Sequence, residues 1–300
     1  MRTIQLEYFV KICELGSITK AAAAMNIAQP ALGSQISALE AEMGEKLLVR
    51  SPRGINLTAA GQVFLTEAKF LLRRVADLKS EVKRVSTNQR KSFRLGLPPS
   101  LNSIVGNKVA RDVSVQCPGL RFKIIEGLSD SLVERTELGE LDIAFAFSVS
   151  EDRQVERKSY FEESLYLIAC PHAKIVTADP IVLNELVRLE FAMPGDAGQV
   201  RRLIEDALES KLRPLNVLYE IESISSIKEL IISGAVFGVL SLASVAKEVA
   251  AGTLIARPIV SPQIKRTLYS IIPRSSEKTD DILNITGLVE KALDELYVCE

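Results

Sequence analysis

The strongest constraint on the fold is a heptad pattern that runs from Thr58 to about Asn88. Apolar residues recur there at alternating intervals of four and three positions, with no proline and no glycine after Gly61: Phe64, Ala68, Leu71, Val75, Leu78, Val82 and Val85. This spacing is typical of an a/d seam, and the Thr58 hydroxyl suits an N-cap. The helix would be about 45 Å long. We expect a dimerisation helix that joins two modules; an amphipathic helix lying on its own domain is the alternative.

Charge is distributed unevenly along the chain. The 300 residues carry a formal charge of −1, yet up to Lys91 there are 14 Lys and Arg residues against 8 Asp and Glu, which leaves 23 against 30 beyond it. A basic N-terminal third predicts contact with a polyanion at one end of the protein only. The length and the 47% hydrophobic content favour more than one domain with a sizeable core.

Several functional classes are disfavoured by what the sequence lacks. The four cysteines are scattered without paired spacing and His172 is the single histidine, so we expect neither a metal site nor a Cys-His nucleophile. There is no Gly-x-Ser-x-Gly elbow and no phosphate-binding glycine loop, and we assign His172 to a surface loop. With no signal peptide and no membrane-length apolar run, the sequence predicts a reduced cytoplasmic protein without cofactor or membrane partner.

The first 57 residues are predicted to form three short helices followed by a turn. Leu6, Phe9, Val10 and Cys13 mark one face of the first helix, which Gly16 can end, and Ser17 can cap the second. Pro30 suits the first turn of a third helix, which Gly44 ends. We expect its core face to hold Leu32, Ile36, Leu39 and Met43, and its outer face Pro30, Ser34, Ser37 and Ala38, with Gln29 near the tip. This arrangement is typical of a helix-turn-helix.

The chain resembles the LysR-type transcriptional regulators. The ordered motifs that carry the resemblance are Ser17-Ile18-Thr19-Lys20-Ala21-Ala22, Gln29-Pro30-Ala31-Leu32, Gln35-Ile36, Leu39-Glu40, Leu47-Leu48-Val49-Arg50, Leu57-Thr58 and Ala60-Gly61. The resemblance implies a winged helix-turn-helix with its wing at 50–54, and a dimerising linker helix from Thr58. It implies DNA contacts by Thr19, Gln29, Pro30, Ala31, Ser34, Gln35, Arg50 and Arg53. Gly33 and Ser34 depart from the family pattern, and Ser34 cannot make the bidentate guanine contact open to arginine.

Beyond a polar hinge at 86–92, strands and helices alternate twice. The first series has strands at 93–97, 120–126 and 141–147 with helices at 98–115 and 129–138. The second has strands at 164–169, 190–193, 215–221 and 237–240, with helices at 182–187, 199–212 and 225–233; a strand at 267–272 and a helix at 280–297 follow. Two α/β units in series predict two lobes with a cleft between them.

The resemblance extends into this region through Leu138-Gly139-Glu140-Leu141-Asp142-Ile143-Ala144 and Glu162-Glu163-Ser164-Leu165. It implies an effector domain that is similar to periplasmic binding proteins. We therefore expect an all-α winged helix-turn-helix at 1–58, a linker helix at 59–91 and a two-lobed α/β effector domain at 92–300. Lobe one would hold 92–161 and 267–300, and lobe two 162–266.

Ligands of open α/β sheets lie beyond the carboxyl ends of the strands. That rule selects as effector-binding candidates Ser100, Asn102, Phe147, Ser148, Met193, Asp196 and Ser225. Ser100 matches the serine or threonine through which many family members hold a carboxylate, and a plain N-cap is its alternative role. No arginine or lysine occupies these strand ends and Asp196 would repel an acid, so a strongly anionic effector is disfavoured.

The predicted function is that of a LysR-type regulator which binds double-stranded DNA as a homodimer or homotetramer. The resemblance implies a small-molecule effector and RNA polymerase as further partners. Short segments, Ile27–Leu32 and Glu220–Ile224, are similar to the nitrogen assimilation control subgroup, in which regulators can act without an effector. A periplasmic-type binding protein without DNA function is a competing class, but it leaves the first 90 residues unexplained. An enzyme is the third alternative.

Overall fold

The computed structural model describes residues 1–51, 54–87, 91–173, 179–195, 199–208, 214–274 and 279–297. Of Arg50 and Val85 it describes the backbone only, and the predicted site residues Arg53 and Asp196 lie outside the described residues. The chain divides into two compact units, one with residues 1–91 and 137–140 and the other with residues 92–136 and 141–300. We describe each unit by itself.

The first unit begins with the predicted three helices and a hairpin. Its elements are α1 Thr3–Leu15, α2 Ile18–Ala24, α3 Gln29–Met43, β1 Leu48–Ser51, β2 Gly54–Leu57 and α4 Ala59–Thr87. Gly16 and Gly44 end α1 and α3 in the left-handed conformation, with φ of +62° and +73°, which glycine adopts without steric cost. The Ser17 hydroxyl accepts a hydrogen bond from the Lys20 amide, and the Thr58 hydroxyl accepts one from the Gly61 amide at 2.9 Å. Both predicted caps are confirmed.

The core of this unit holds most of the predicted inward residues of α1 and α3. Phe9, Leu32, Ile36 and Leu39 are buried together with Ile12, Ala21, Ala22 and Leu47. Met43 is wrongly predicted: it is 37% exposed, because it is the last residue of α3 and the chain turns away at Gly44 without covering it.

The N-terminal part of the heptad seam on α4 packs against α1 of the same chain. The Phe64 ring meets the Phe9 ring edge-on at 5.0 Å, and Ala68 is buried with Leu6 and Val10 of α1. Helix α1 therefore packs against both side chains in the same chain, burying Ala68 and leaving Phe64 half-buried, and their place in an intermolecular seam stays a prediction. Farther along the helix Leu71, Leu78 and Val82 are 40%, 59% and 64% exposed, while Val75 is half-buried.

The second unit consists of alternating strands and helices. Its elements are β3 Lys91–Leu97, α5 Pro99–Leu101, a π-helical segment Asn102–Gly106, α6 Asn107–Gln116, β4 Leu120–Glu126, α7 Ser129–Glu137, β5 Ile143–Phe147, β6 Val155–Ala169, β7 Ile181–Val182, a 3-10 helix Leu183–Arg188, β8 Glu190–Met193, α8 Gln199–Ala207, β9 Asn216–Glu220, α9 Ile224–Ile232, β10 Gly238–Ser241, α10 Leu242–Ala250, β11 Ile255–Val260, β12 Lys265–Pro273 and α11 Asp280–Tyr297. Most bounds lie within a residue or two of the prediction.

Several elements differ from the prediction. The strand expected at 164–169 is only the end of the long strand β6, whose first half is rich in charged side chains and lacks a strand-like apolar run. Helix α10 and strand β11 were not predicted. The helix expected from Pro98 contains the π-helical turn, where the Asn102 amide oxygen lies over Gly106 so closely that a Cβ there would come within 2.1 Å of it.

The sheet runs through two hydrophobic cores, which define two lobes. Its strand order is β4-β3-β5-β12-β6-β11-β7, with β10 also paired to β6. The first part of β6 pairs with β12 and its last part with β10 and β11. One core surrounds Phe145 and Leu268, and the other surrounds Leu165 and Phe191. The backbone passes between the lobes where the Leu165 amide donates to the Ile264 carbonyl at 2.9 Å.

Candidate functional site

One face of α3 carries polar and small side chains to solvent. Gln29, Pro30, Ala31 and Ser34 are all exposed, as is Thr19 on the preceding helix α2. The opposite face of α3 is anchored in the core through Leu32, Ile36 and Leu39. The packing of one face therefore leaves the other exposed to solvent.

Gln35 lies at the flank of this surface and already has a partner. The Arg2 guanidinium donates through Nη2 to Gln35 Oε1 at 2.6 Å. With its oxygen occupied, Gln35 offers its amide N–H groups to another molecule. The sequence analysis missed Arg2, because nothing in the local pattern of α1 indicates a contact with a residue 33 positions away.

The wing is an antiparallel hairpin that α3 holds in place. Arg50 of β1 lies opposite Ile55 of β2. The Glu40 carboxylate, buried at the end of α3, accepts hydrogen bonds from the Leu47 amide at 3.0 Å and the Leu48 amide at 3.2 Å, and from Lys46 Nζ at 2.6 Å. Burial alone would raise the pKa of Glu40, but these hydrogen bonds outweigh it and hold the pKa below its ordinary value. The charged carboxylate thus ties the wing to α3.

A cavity of about 70 Å³ lies between the two lobes of the second unit. Side chains from both lobes form its wall: Pro98, Pro99, Ser100, Leu128, Ser129, Asp130 and Phe147 from lobe one, and Leu165, Pro194, Gln199, Val200, Glu222, Ile224, Val239, Leu240, Ser241 and Ser244 from lobe two, with Arg266 at the passage between them. We call this cavity the inter-lobe cleft. Its volume is small compared with the roughly 300–1,000 Å³ typical of ligand pockets.

The backbone of Phe147, the last residue of β5, is held from both sides of the cleft. Its amide donates to the Ser129 hydroxyl at 3.0 Å, and its carbonyl accepts from Gln199 Nε2 at 2.6 Å. Gln199 begins α8 in lobe two, so this bond joins the lobes. The other amide atom of this side chain, Gln199 Oε1, is buried and receives no hydrogen bond from the described residues.

The cleft contains a buried cation that the sequence analysis missed. The Arg266 guanidinium lies flat on the Phe147 ring, with Cζ 3.6 Å from the ring centroid. Its Nε donates to Glu163 Oε1 at 2.6 Å, and its Nη2 lies 3.4 Å from the Ser100 hydroxyl. The sequence predicts no arginine or lysine at the strand ends, and Arg266 reaches the cleft by another route, because β12 carries it there from 166 positions beyond Ser100. Nothing in the residues around Arg266 reveals this neighbourhood.

The structure brings together only part of the predicted effector set. Ser100 and Phe147 line the cleft. Ser225 lines an adjoining, more polar cavity of about 320 Å³ beside Glu126, and this cavity shares Pro99, Leu128, Glu222 and Ile224 with the cleft wall. Asn102 Nδ2 donates to Glu126 at 2.7 Å. The N-cap of α5 is Pro98, so Ser100 does not cap the helix.

Two further members of the predicted set are wrongly assigned to the cleft. Met193 is fully buried in the core of lobe two, because its strand β8 points that side chain into the lobe. Ser148 is exposed in a left-handed conformation, with φ of +47°, and its amide donates to the Thr267 carbonyl. Neither side chain lines the cleft.

Two family models match the chain in succession. The bacterial regulatory helix-turn-helix protein model of the lysR family matches residues 4–62, and the LysR substrate binding domain model matches residues 86–291. Together they span both units. This chain belongs to the LysR family. It is a DNA-binding transcriptional regulator with an effector-binding domain, and the resemblance seen in the sequence is confirmed.

Two relatives agree with this assignment. The LysR-type chain is 30% identical over 284 residues to the HTH-type transcriptional regulator BbuR of Bordetella bronchiseptica, covering 95% of this chain and 87% of that protein. It is 30% identical over 238 residues to the nitrogen assimilation regulatory protein nac of Klebsiella aerogenes, covering 78% of this chain and 76% of that protein. Both relatives are named as regulators.

A solved full-length structure shares the fold of this LysR-type regulator. CbnR in complex with its target DNA superposes with a TM-score of 0.57 at 20% identity, covering 97% of this chain and 100% of that one. The predicted fold class, a helix-turn-helix domain followed by a two-lobed effector domain, is confirmed. In the described part of the chain, no helix has the length and apolar character needed to cross a membrane.

Proposed function

We propose that this regulator binds a split operator as a dimer or homotetramer, with α3 in the major groove and the wing on the backbone. The exposed polar face of α3 carries this proposal, since Gln29 and Ser34 project from a helix whose other face is fixed in the core. Gln29 and Gln35 would contact base edges, with Thr19, Pro30 and Ala31 beside them. Arg50 and Arg53 would contact phosphates or a narrow minor groove.

The test separates base contacts from phosphate contacts. Gln29→Ala should cost about 1–3 kcal/mol on the cognate operator and relax the preference at one base pair. Arg53→Ala should weaken binding to all sequences more evenly and reduce the slope of log affinity against log salt by about one per protomer. Both variants are titrated on cognate and scrambled DNA at several salt concentrations. Equal losses for Gln29→Ala on both DNAs would refute its role in readout.

We also propose that a small molecule in the inter-lobe cleft modulates this regulator. Ser100 and Phe147, with Arg266 and Gln199, are the side chains that would meet it. Ser100→Ala should leave operator binding intact and abolish the ligand-dependent change in the footprint. The second candidate is effector-independent regulation, favoured by the small cleft volume and the likeness to the nac protein. Regulation of transcription in vitro by the purified protein without added metabolites would support it.

The remaining parts of the proposal concern partners, location and chemistry. A regulator of this kind meets RNA polymerase at the promoter, so a footprint with and without polymerase tests that partner. The cytoplasm, where bacterial DNA lies, is the proposed location. We propose no enzymatic activity: the described cleft lining has neither a cysteine nor a histidine, and the Ser129 hydroxyl in it accepts from the Phe147 backbone amide rather than facing a general base.

A further inference from the structure

Glu163 and Arg266 form the most buried ion pair among the described residues that line or adjoin the cleft. The two residues lie directly opposite one another in the antiparallel register of β6 and β12. Their side chains are 8% and 9% exposed, and Arg266 Nη2 lies 2.5 Å from Glu163 Oε1. The Phe147 ring covers one face of the guanidinium. The Nε and Nη2 edge of this guanidinium, which could pair with an incoming carboxylate, is therefore occupied by a carboxylate of the chain itself.

The remaining charge of the cleft also opposes an anion. Asp130 and Glu222 line the cavity, and Arg266 is the cation among its lining residues. Arg202 pairs with Asp130 from outside that lining, on a side chain that is half exposed. Asp130 and Glu222 are exposed to solvent and Asp130 is paired with Arg202, so water and salt screen their repulsion of an anion. The guanidinium that Glu163 already neutralises is therefore the main obstacle to an anionic ligand.

One polar atom of the cleft wall favours a ligand that donates a hydrogen bond. Gln199 Oε1 is a buried acceptor without a hydrogen-bond donor among the described residues, while its Nε2 donates to the Phe147 carbonyl. A buried acceptor without a donor from the protein favours a hydrogen-bond donor beside it. A ligand with an N–H or O–H group would satisfy it, whereas a carboxylate has no proton to donate.

We propose that Glu163 is a resident carboxylate of the inter-lobe cleft, which makes the cleft selective for small uncharged molecules with a hydrogen-bond donor, such as primary amides and alcohols, over carboxylates. This inference rests on the proposed role of the cleft as an effector site and names the class of ligand it takes. Glu163 holds the Arg266 guanidinium against the Phe147 ring and prevents acidic ligands from pairing with it.

Acetate and acetamide are matched probes, because they differ only in the carboxylate and the amide. Their dissociation constants are measured on the full-length protein by ligand-observed saturation-transfer titration. For the wild type we expect acetamide to bind at least about ten-fold more tightly than acetate, the ratio that a 1.4 kcal/mol difference in binding free energy gives. Glu163→Gln removes the resident charge at nearly constant shape, so acetate should gain by a similar factor and bind about as tightly as acetamide.

Two further variants separate this effect from general charge changes. Glu162→Gln is the matched control: Glu162 is the neighbouring residue on β6, is half exposed and pairs with the exposed Lys265, so the probe preference should stay that of the wild type. The double variant E163Q/R266Q removes the freed cation, and the gain in acetate binding should disappear. Thermal unfolding of E163Q with and without acetate gives a second readout, since acetate should raise its Tm and leave that of E163Q/R266Q unchanged.

The possible outcomes are distinct. A wild type that prefers acetate, or an E163Q variant with an unchanged preference, overturns the inference. Acetate binding to E163Q but neither probe binding to the wild type supports the exclusion of acids by Glu163 and overturns the selectivity of the wild-type cleft for uncharged donors. Failure of both probes to bind any variant overturns the inference. Operator binding, measured by gel shift on the same preparations, tests the DNA-binding function independently of probe binding.

Discussion

Gly61 at the start of α4 lies against the carbonyl oxygen of Leu47, so closely that a Cβ at residue 61 would stand 2.0 Å from that oxygen. The same carbonyl accepts a hydrogen bond from the Thr58 amide at 3.0 Å. The linker helix can therefore pack this closely against Leu47, which precedes β1, only because residue 61 is a glycine and has no Cβ. This contact joins α4 to the helix-turn-helix module.

Gly61→Ala should destabilise the protein by about 1–3 kcal/mol or more, because the backbone of either α4 or the wing must move to accept the methyl group. Gly33→Ala is the matched control: a Cβ there meets nothing within 4 Å, so it should stabilise α3 by about 0.5–1 kcal/mol through helix propensity. Urea unfolding monitored by circular dichroism measures both. A Gly61→Ala variant as stable as Gly33→Ala would contradict this account.

Glu40→Gln should lower stability at neutral pH by about 1.5–3 kcal/mol, since hydrogen bonds to a charged acceptor are replaced by weaker ones. Because the pKa of Glu40 is lowered in the folded protein, its contribution is full above the ordinary pKa and is lost as pH falls through the folded value. The variant should thus show a shallower loss of stability than the wild type below about pH 4.3, the ordinary pKa of a glutamate.

Unfolding free energies across the acid and neutral range test the Glu40 prediction. Glu45→Gln is the control, because Glu45 is exposed just beyond the end of α3 and should leave the curve close to that of the wild type. If the curves of unfolding free energy against pH are parallel for the wild type and Glu40→Gln, the Glu40 carboxylate does not contribute to the pH dependence of stability.

Arg2→Ala should change base preference rather than overall affinity. Arg2 donates to Gln35 Oε1, so in the wild type its guanidinium competes with a base-edge donor for that oxygen. Removing Arg2 ends this competition and favours the bidentate contact with adenine, which should shift preference at one base pair by about 1 kcal/mol. Arg2→Lys keeps a donor and should behave as the wild type. Selection of binding sites from a randomised operator measures this, and a uniform loss on all sequences would point instead to a phosphate contact.

The exposed part of the α4 seam should be the dimer interface. Leu71→Glu combined with Leu78→Glu should yield monomers in light scattering at micromolar concentration, since charges at seam positions oppose burial of the helix pair. Val63→Glu is the control on the same helix, because Val63 is 66% exposed and lies off the heptad seam; it should leave the dimer intact. A double variant that remains dimeric would exclude this helix as the interface.

Local chemistry explains why many elements could be predicted. Gly16, Gly44 and Gly139 each adopt a positive φ at the end of a helix or its following turn, and such residues commonly mark helix ends. Ser17 and Thr58 cap helices through atoms three residues away. The alternation of short apolar strands with amphipathic helices likewise depends on neighbours in sequence, so α11 at Asp280–Tyr297 was predicted at the bounds observed.

The composition of the cleft depends instead on residues that are distant in sequence. Ser100 and Phe147 follow strand ends and were predicted, whereas Met193 also lies at one and is buried in a lobe core, since strand register decides which way a side chain points. Helix α10 and the first half of β6 lack a distinctive local pattern and were missed for that reason.

The sequence by itself determined the winged helix-turn-helix, the long linker helix, the two α/β units and the family, because caps, glycines and hydrophobic periods act within a few residues of the chain. Only the tertiary structure decided that α1 packs against Phe64 and Ala68, that Arg2 holds Gln35, and that Arg266 meets Glu163. The last pair is separated by 103 residues and is joined by the register of two antiparallel strands. Such register is set by packing of the whole sheet, and no local pattern encodes it.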